Sequence, residues 1–173
     1  FLSPFPEFNR LYGGFRPGNI YCVAARPGQG KTSFLNNVAF RTALKYSVPV
    51  LFIDTEMEKT DIRRRMLSSL SGVTLYLIDT GNFKQNKETY EKVTNAAKKL
   101  ENINFSCQHY RAGSVSTDEI ISKMRRWALG KGSDRGIIVY DYLKLTGEKV
   151  SQNWAEYQAM GQKVGALHQL AIE

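Results

Sequence analysis

Cysteine is scarce in this chain and long apolar runs are missing. The two cysteines, Cys22 and Cys107, each lie in a strand-like run with no metal-ligand spacing around them. That pattern argues against a disulfide scaffold or a zinc module and for reduced, buried thiols. The longest apolar stretches, such as 20–25 and 137–140, are far too short to span a bilayer. No secretory signal, lipid-anchor motif or strongly amphipathic basic helix stands out, so a membrane partner is not expected and a cytoplasmic setting is. Internal repeats, low-complexity tracts and interior linkers are also lacking, which favours one domain over residues 1–173. Acidic residues are outnumbered, 16 against 24 lysines and arginines, and the net charge of +8 favours an acidic partner, nucleic acid first. Solvated lysines such as Lys84, Lys87, Lys98 and Lys99 account for much of that excess. With 42% apolar and 23% charged residues, the composition is that of an ordinary globular domain and shows no sign of disorder.

What is present is punctuated by two periods. Short β-rich runs occur at 19–25, 48–54, 103–108 and 136–141, and segments with helical spacing lie between them. The first helix is predicted to start at Lys31 and end before Pro49, with Phe34, Leu35, Val38, Ala39 and Ala43 inward. A second covers 59–70, with Ile62, Met66 and Leu70 on one face and Gly72 as its stop. A third, mostly polar and peripheral, covers 87–100. The fourth begins at Ser116, which forms a capping box with Glu119, and stops at Gly130. Near-continuous apolar strands alternating with helices predict an α/β fold, a mostly parallel sheet with helices on both faces. Residues 1–14 read as an irregular lead-in packed on the sheet edge.

One loop carries chemistry. Between the run at 19–25 and the first helix lie Ala25, Arg26, Pro27, Gly28, Gln29, Gly30, Lys31, Thr32 and Ser33. Gly28 and Gly30 let the chain bend so that several backbone N–H groups converge on one anion. Lys31 adds a point charge for the β- and γ-phosphates, and Thr32 offers a hydroxyl to Mg²⁺ at the positive end of a helix. This is a P-loop (Walker A) pattern with Ala25 in place of its first glycine, and it predicts a nucleoside triphosphate as ligand. Two strand ends supply acid. Asp141 follows the run at 137–140 and can hold a Mg²⁺-bound water opposite Thr32. Asp54 and Glu56 follow the run at 50–53, and one or both can polarise an attacking water. Spacing alone does not choose between them.

Taken in order, Leu11 to Gly18, the loop at 24–32, Asp54-Thr55-Glu56-Met57, Arg65 to Ser71 and Asp141-Tyr142-Leu143-Lys144-Leu145 resemble the ATPase domain of DnaB-type replicative helicases. These are hexameric superfamily 4 motors with a RecA-like core, and the lysine-rich middle suggests a phage or viral member. The resemblance implies that residues 25–33 bind nucleotide, that Thr32 and Asp141 serve Mg²⁺, and that Glu56 rather than Asp54 activates water. It implies single-stranded DNA as partner, with Lys149, Gln152 and Asn153 in a channel loop, a homo-oligomeric ring, and a primase or helicase loader. Lys144 departs from the family, which more often has Gln there. In that family the helix at 157–170 is followed by a strand between the P-loop strand and the Asp141 strand, a second DNA loop and an arginine finger. Nothing follows Glu173 here, so the chain looks truncated, a gap with unpaired backbone is expected in the sheet, and ATP turnover by this piece alone should be slow. The competing reading is a RecA-, RadA- or KaiC-like recombination or regulatory ATPase on the same core.

Overall fold

Residues 50–54, Val-Leu-Phe-Ile-Asp, are all buried, as a strand must be when other strands flank it and helices cover both its faces. The computed structural model describes residues 1–111, 114–143 and 156–173, and nothing of the Glu156 side chain. In chain order the elements are α1 (Pro6–Tyr12), α2 (Lys31–Tyr46), β1 (Val50–Asp54), α3 (Lys59–Ser71), α4 (Leu75–Asp79), a 3₁₀ turn (Asn82–Gln85), α5 (Lys87–Glu101), β2 (Phe105–His109), α6 (Thr117–Gly130), β3 (Ile137–Asp141) and α7 (Glu156–Ile172). Among the described residues the sheet has three parallel strands in the order β2-β1-β3.

The pleat divides β1 between two cores. Val50 and Phe52 face α2 and α3, where they pack with Ala39, Phe40, Ala43, Ile62, Met66 and Val139. Leu51 and Ile53 face the other way, onto Ile120 and Met124 of α6, with Leu167 and Leu170 of α7 against them. Burying each of the Val, Leu, Ile, Phe and Met side chains among these contributes about 1.5–3 kcal/mol. Parallel register pairs Asp54 with His109 on β2 and with Asp141 on β3. All three therefore stand at one strand end and on the α2 side of the sheet, the side that Phe52 and Val139 face.

The helix ends follow the chemistry of their residues. Gly72 takes the left-handed conformation at φ 72° and donates its N–H to Ser68 O, closing α3. Ser116 and Glu119 form the reciprocal capping box that starts α6. Asn86 caps α5 by accepting from the amides of Glu88 and Thr89.

Several expectations need correction. The run at 19–25 forms no strand: it is exposed, and no described strand lies beside it to share a ladder. Cys22 is consequently exposed rather than buried. Phe34 lies on the outer side of α2, stacked 5.0 Å from Phe5, and Phe40 takes the inward place instead. The lead-in is not wholly irregular, because Pro6 starts a helix that Gly13 ends at φ 71°. Its Phe8 packs on Phe15 and Tyr21 rather than on the sheet. Helix α5 is mostly polar as expected, yet Val93 anchors it in a small cluster with Val73 and Ile78, the latter on the unforeseen α4.

Candidate nucleotide-binding site

Helix α2 opens from a loop whose two glycines are both in the left-handed region, Gly28 at φ 78° and Gly30 at φ 86°. A side chain there would strain the backbone, although open space surrounds both positions. The Gln29 N–H donates to Arg26 O at 3.2 Å and turns the chain, and the Phe34 N–H donates to Gly30 O at 2.8 Å as the helix begins. Gly30 gives the helix no side-chain cap, and its first turn carries no acidic residue. The amides around Lys31, Thr32 and Ser33 are thus left for an anion, with the positive end of the helix dipole behind them. Ala25, Arg26, Pro27, Gly28, Gln29 and Gly30 are all exposed, and Lys31, Thr32 and Ser33 are half-buried.

Lys31 reaches back to the sheet. Its Nζ lies 2.7 Å from Asp141 Oδ1 and 4.2 Å from the centre of the Tyr142 ring. Asp141 is 2% exposed, and neither of its carboxylate oxygens has an aligned hydrogen-bond donor among the described residues. The 2.7 Å contact is therefore a charge pair without good hydrogen-bond direction. Buried carboxylate oxygens without donors are suited to a hard cation or its water shell, and Thr32 supplies a hydroxyl in the adjacent first turn. The donor set fits Mg²⁺. Among the described residues no group of three or more His, Cys, Asp and Glu could hold a metal ion.

The second strand end separates the two acids that spacing left equivalent. Asp54 is 1% exposed, and its Oδ1 accepts from the Glu56 N–H at 2.6 Å and the Met57 N–H at 2.5 Å. Glu56 itself is exposed at the turn between β1 and α3. Burial holds the Asp54 carboxyl above its ordinary pKa, and the neighbouring Asp141 pushes the same way; the two amides and His109 oppose them. The Thr55 N–H donates to Asp141 O at 2.8 Å and the Tyr110 N–H to Asp54 O at 3.0 Å, so the three strand ends are tied together.

Two residues escaped the sequence reading. His109 sits in register with Asp54, one position past the expected end of its strand. Arg65, which enters the sequence reading only as the start of the segment 65–71 and with no role at the site, donates from Nη1 to Ser33 Oγ at 3.3 Å and ties α3 to the start of α2. The i, i+3 spacing with Ile62, which puts both on one side of α3, was the available signal. Lys144, Lys149, Gln152 and Asn153 lie outside the described residues.

A parallel sheet with helices on both faces, a glycine loop opening α2 and acidic residues at the neighbouring strand ends defines a P-loop nucleotide-binding core. Comparison with known proteins narrows the class. The family model described as DnaB-like helicase C terminal domain matches residues 2–173, and the chain belongs to that family. A probable replicative DNA helicase of Trieres chinensis is 28% identical over 171 residues, covering 99% of this chain and 36% of the relative. The replicative DNA helicase DnaB of Geobacillus stearothermophilus is 33% identical over 141 residues, covering 82% of this chain and 30% of the relative. This chain thus spans about a third of the length of those relatives. A solved DnaB-like replicative helicase, described with its interactions with primase, superposes at TM-score 0.85 with 24% identity, covering 98% of this chain and 40% of that one. A second solved structure, described as an ATPase domain, does so at TM-score 0.85 and 24% identity, over 96% of this chain and 57% of that one. Both likenesses concern the fold. Among the described residues no helix is long and apolar enough to cross a membrane.

Proposed function

We propose that this domain binds ATP with Mg²⁺ and hydrolyses it as the motor of a replicative DNA helicase. The observation that carries the reading is the meeting of Lys31, from the glycine loop, with the buried Asp141 at the carboxyl end of β3. Membership of the DnaB-like family supports it.

In this reading the amides of residues 28–33 bind the β- and γ-phosphates, and Lys31 neutralises their charge. Thr32 and Asp141 would hold Mg²⁺, which supplies charge stabilisation on the transferred phosphoryl group. The contact between Lys31 and Asp141 compensates the charge of the buried carboxylate. Glu56 accepts the proton of the attacking water while oxygen adds to the γ-phosphorus, and the bond to the bridging oxygen breaks with ADP as leaving group.

The same reading makes single-stranded DNA the substrate track, with Lys149, Gln152 and Asn153 as its contacts, and a ring of identical subunits in the cytoplasm as the working form. A primase is a further partner, by analogy with the solved relative described with one; a helicase loader is another. The test is the ATPase rate of the full-length protein with and without single-stranded DNA, beside Glu56→Gln. Stimulation by DNA that collapses in Glu56→Gln while nucleotide binding survives supports the motor and its base. A rate indifferent to DNA moves the RecA-, RadA- or KaiC-like alternative ahead, and an unimpaired Glu56→Gln removes that residue from the chemistry.

A further inference from the structure

The acid that the ATPase reading leaves without a task is the most enclosed one at the site. Asp54 is 1% exposed at the end of the central strand, where a carboxyl group is opposed by burial and by Asp141 in register beside it. Such a placement is costly unless something uses the oxygens. Oδ1 is used twice, by the amides of Glu56 at 2.6 Å and Met57 at 2.5 Å, whereas Oδ2 is buried without a hydrogen-bond partner among the described residues. Those amides belong to the turn that carries the chain from β1 into α3. Further ties hold its base: the Thr55 N–H donates to Asp141 O, and Tyr110 N–H to Asp54 O. The exposed side chain of Glu56 extends from this backbone, and its direction is inherited from it.

We propose that Asp54 is a positioning residue for Glu56: its buried carboxyl fixes the turn from inside, so that an exposed side chain is presented in one direction at the strand end where Lys31 meets Asp141. This rests on the reading of Glu56 as the water-activating base. The physical reason is economy of order. An exposed Glu has several rotamers about each torsion, and a freely bending turn would add backbone freedom to these; two short bonds to one oxygen remove the backbone share. Misplacement of a reacting group by about 1 Å can cost on the order of 100-fold in rate, so the turn is worth fixing. An acceptor is what the position requires, and charge is secondary: the amide oxygen of Asn could accept the same two N–H groups, whereas Ala leaves both unsatisfied.

The experiment is a double-mutant cycle on ATP turnover by the full-length protein, with nucleotide affinity measured separately by a fluorescent ATP analogue. Asp54→Ala is expected to lower kcat by about 10- to 100-fold with affinity changed less than about threefold, because the phosphate loop is untouched. Asp54→Asn is expected to restore most of that loss. In a Glu56→Gln background, Asp54→Ala should cost almost nothing more, since it acts only through Glu56. A merely structural role gives a different pattern: equal losses in both backgrounds, or falling affinity in parallel with rate, and either overturns the proposal. Should Asp54→Ala fail to fold, Asp54→Ser keeps a shorter acceptor and takes its place in the cycle. Full turnover in Glu56→Gln overturns the base assignment and this inference together, whereas loss in Glu56→Gln with full turnover in Asp54→Ala overturns this inference alone.

Discussion

Replacing Lys31 by Ala removes the cation from a nearly buried pair, and the consequence is readable without any nucleotide. The Lys31 side chain is 23% exposed and that of Asp141 only 3%, with 2.7 Å between the charged atoms. Removing one partner of a fully buried pair costs about 3–5 kcal/mol, and an exposed pair is worth at most about 1 kcal/mol. With one partner enclosed and the other partly wet, the cost of Lys31→Ala falls near about 2 kcal/mol. For a domain of this size that lowers Tm by roughly 4–8 °C. The loss is asymmetric: in Asp141→Asn the freed ammonium can turn to water, so that variant should lose less. Combining the two should recover about 1 kcal/mol relative to Lys31→Ala, because a neutral amide at 141 no longer needs the cation. Thermal melts and urea titrations of the nucleotide-free protein measure all four corners. If Lys31→Ala melts within about 1 °C of the parent, or the double variant is no more stable than Lys31→Ala, the pair does not compensate Asp141 and the account of Lys31 as its counter-ion is wrong.

Two further outcomes follow from the fold. Ser116→Ala removes the acceptor of the Glu119 amide and half of a capping box, and should cost about 1 kcal/mol in urea titration. A thiol reagent at pH 8 should modify Cys22 first, because it is exposed, whereas burial pushes Cys107 up to about 11, which leaves about one thiolate in a thousand there. Counting labelled cysteines against time checks the order, and rapid labelling of both would mean that β2 is not packed as described.

The parts of the protein that the sequence determines are those whose physics is local. Two glycines two residues apart before Lys31-Thr32 define a phosphate cradle wherever a helix follows, because φ, the missing Cβ and the helix dipole are properties of neighbouring residues. The capping box at Ser116 and the stop at Gly72 are local for the same reason, and both stand where the sequence predicts them. Strand assignment is not local. Residues 19–25 have a strand's composition and form none, since a strand exists only where another chain segment offers its amides and carbonyls. Meanwhile 50–54, with the same kind of composition, is flanked on both sides and wholly buried.

At the site the division is the same. That Asp54, Glu56 and Asp141 follow apolar runs is written in the sequence. That Asp54 is sealed and spends one oxygen on the Glu56 turn, while Glu56 stands open and Asp141 faces Lys31, depends on which strands neighbour β1 and on the register between them. His109 and Arg65 join the site only through that packing, from a strand and a helix far along the chain. Sequence determined the kind of chemistry available, through residue types and short spacings. Tertiary structure alone decided which acid is buried and which is free, because burial and opposite charge come from residues that no local pattern brings together.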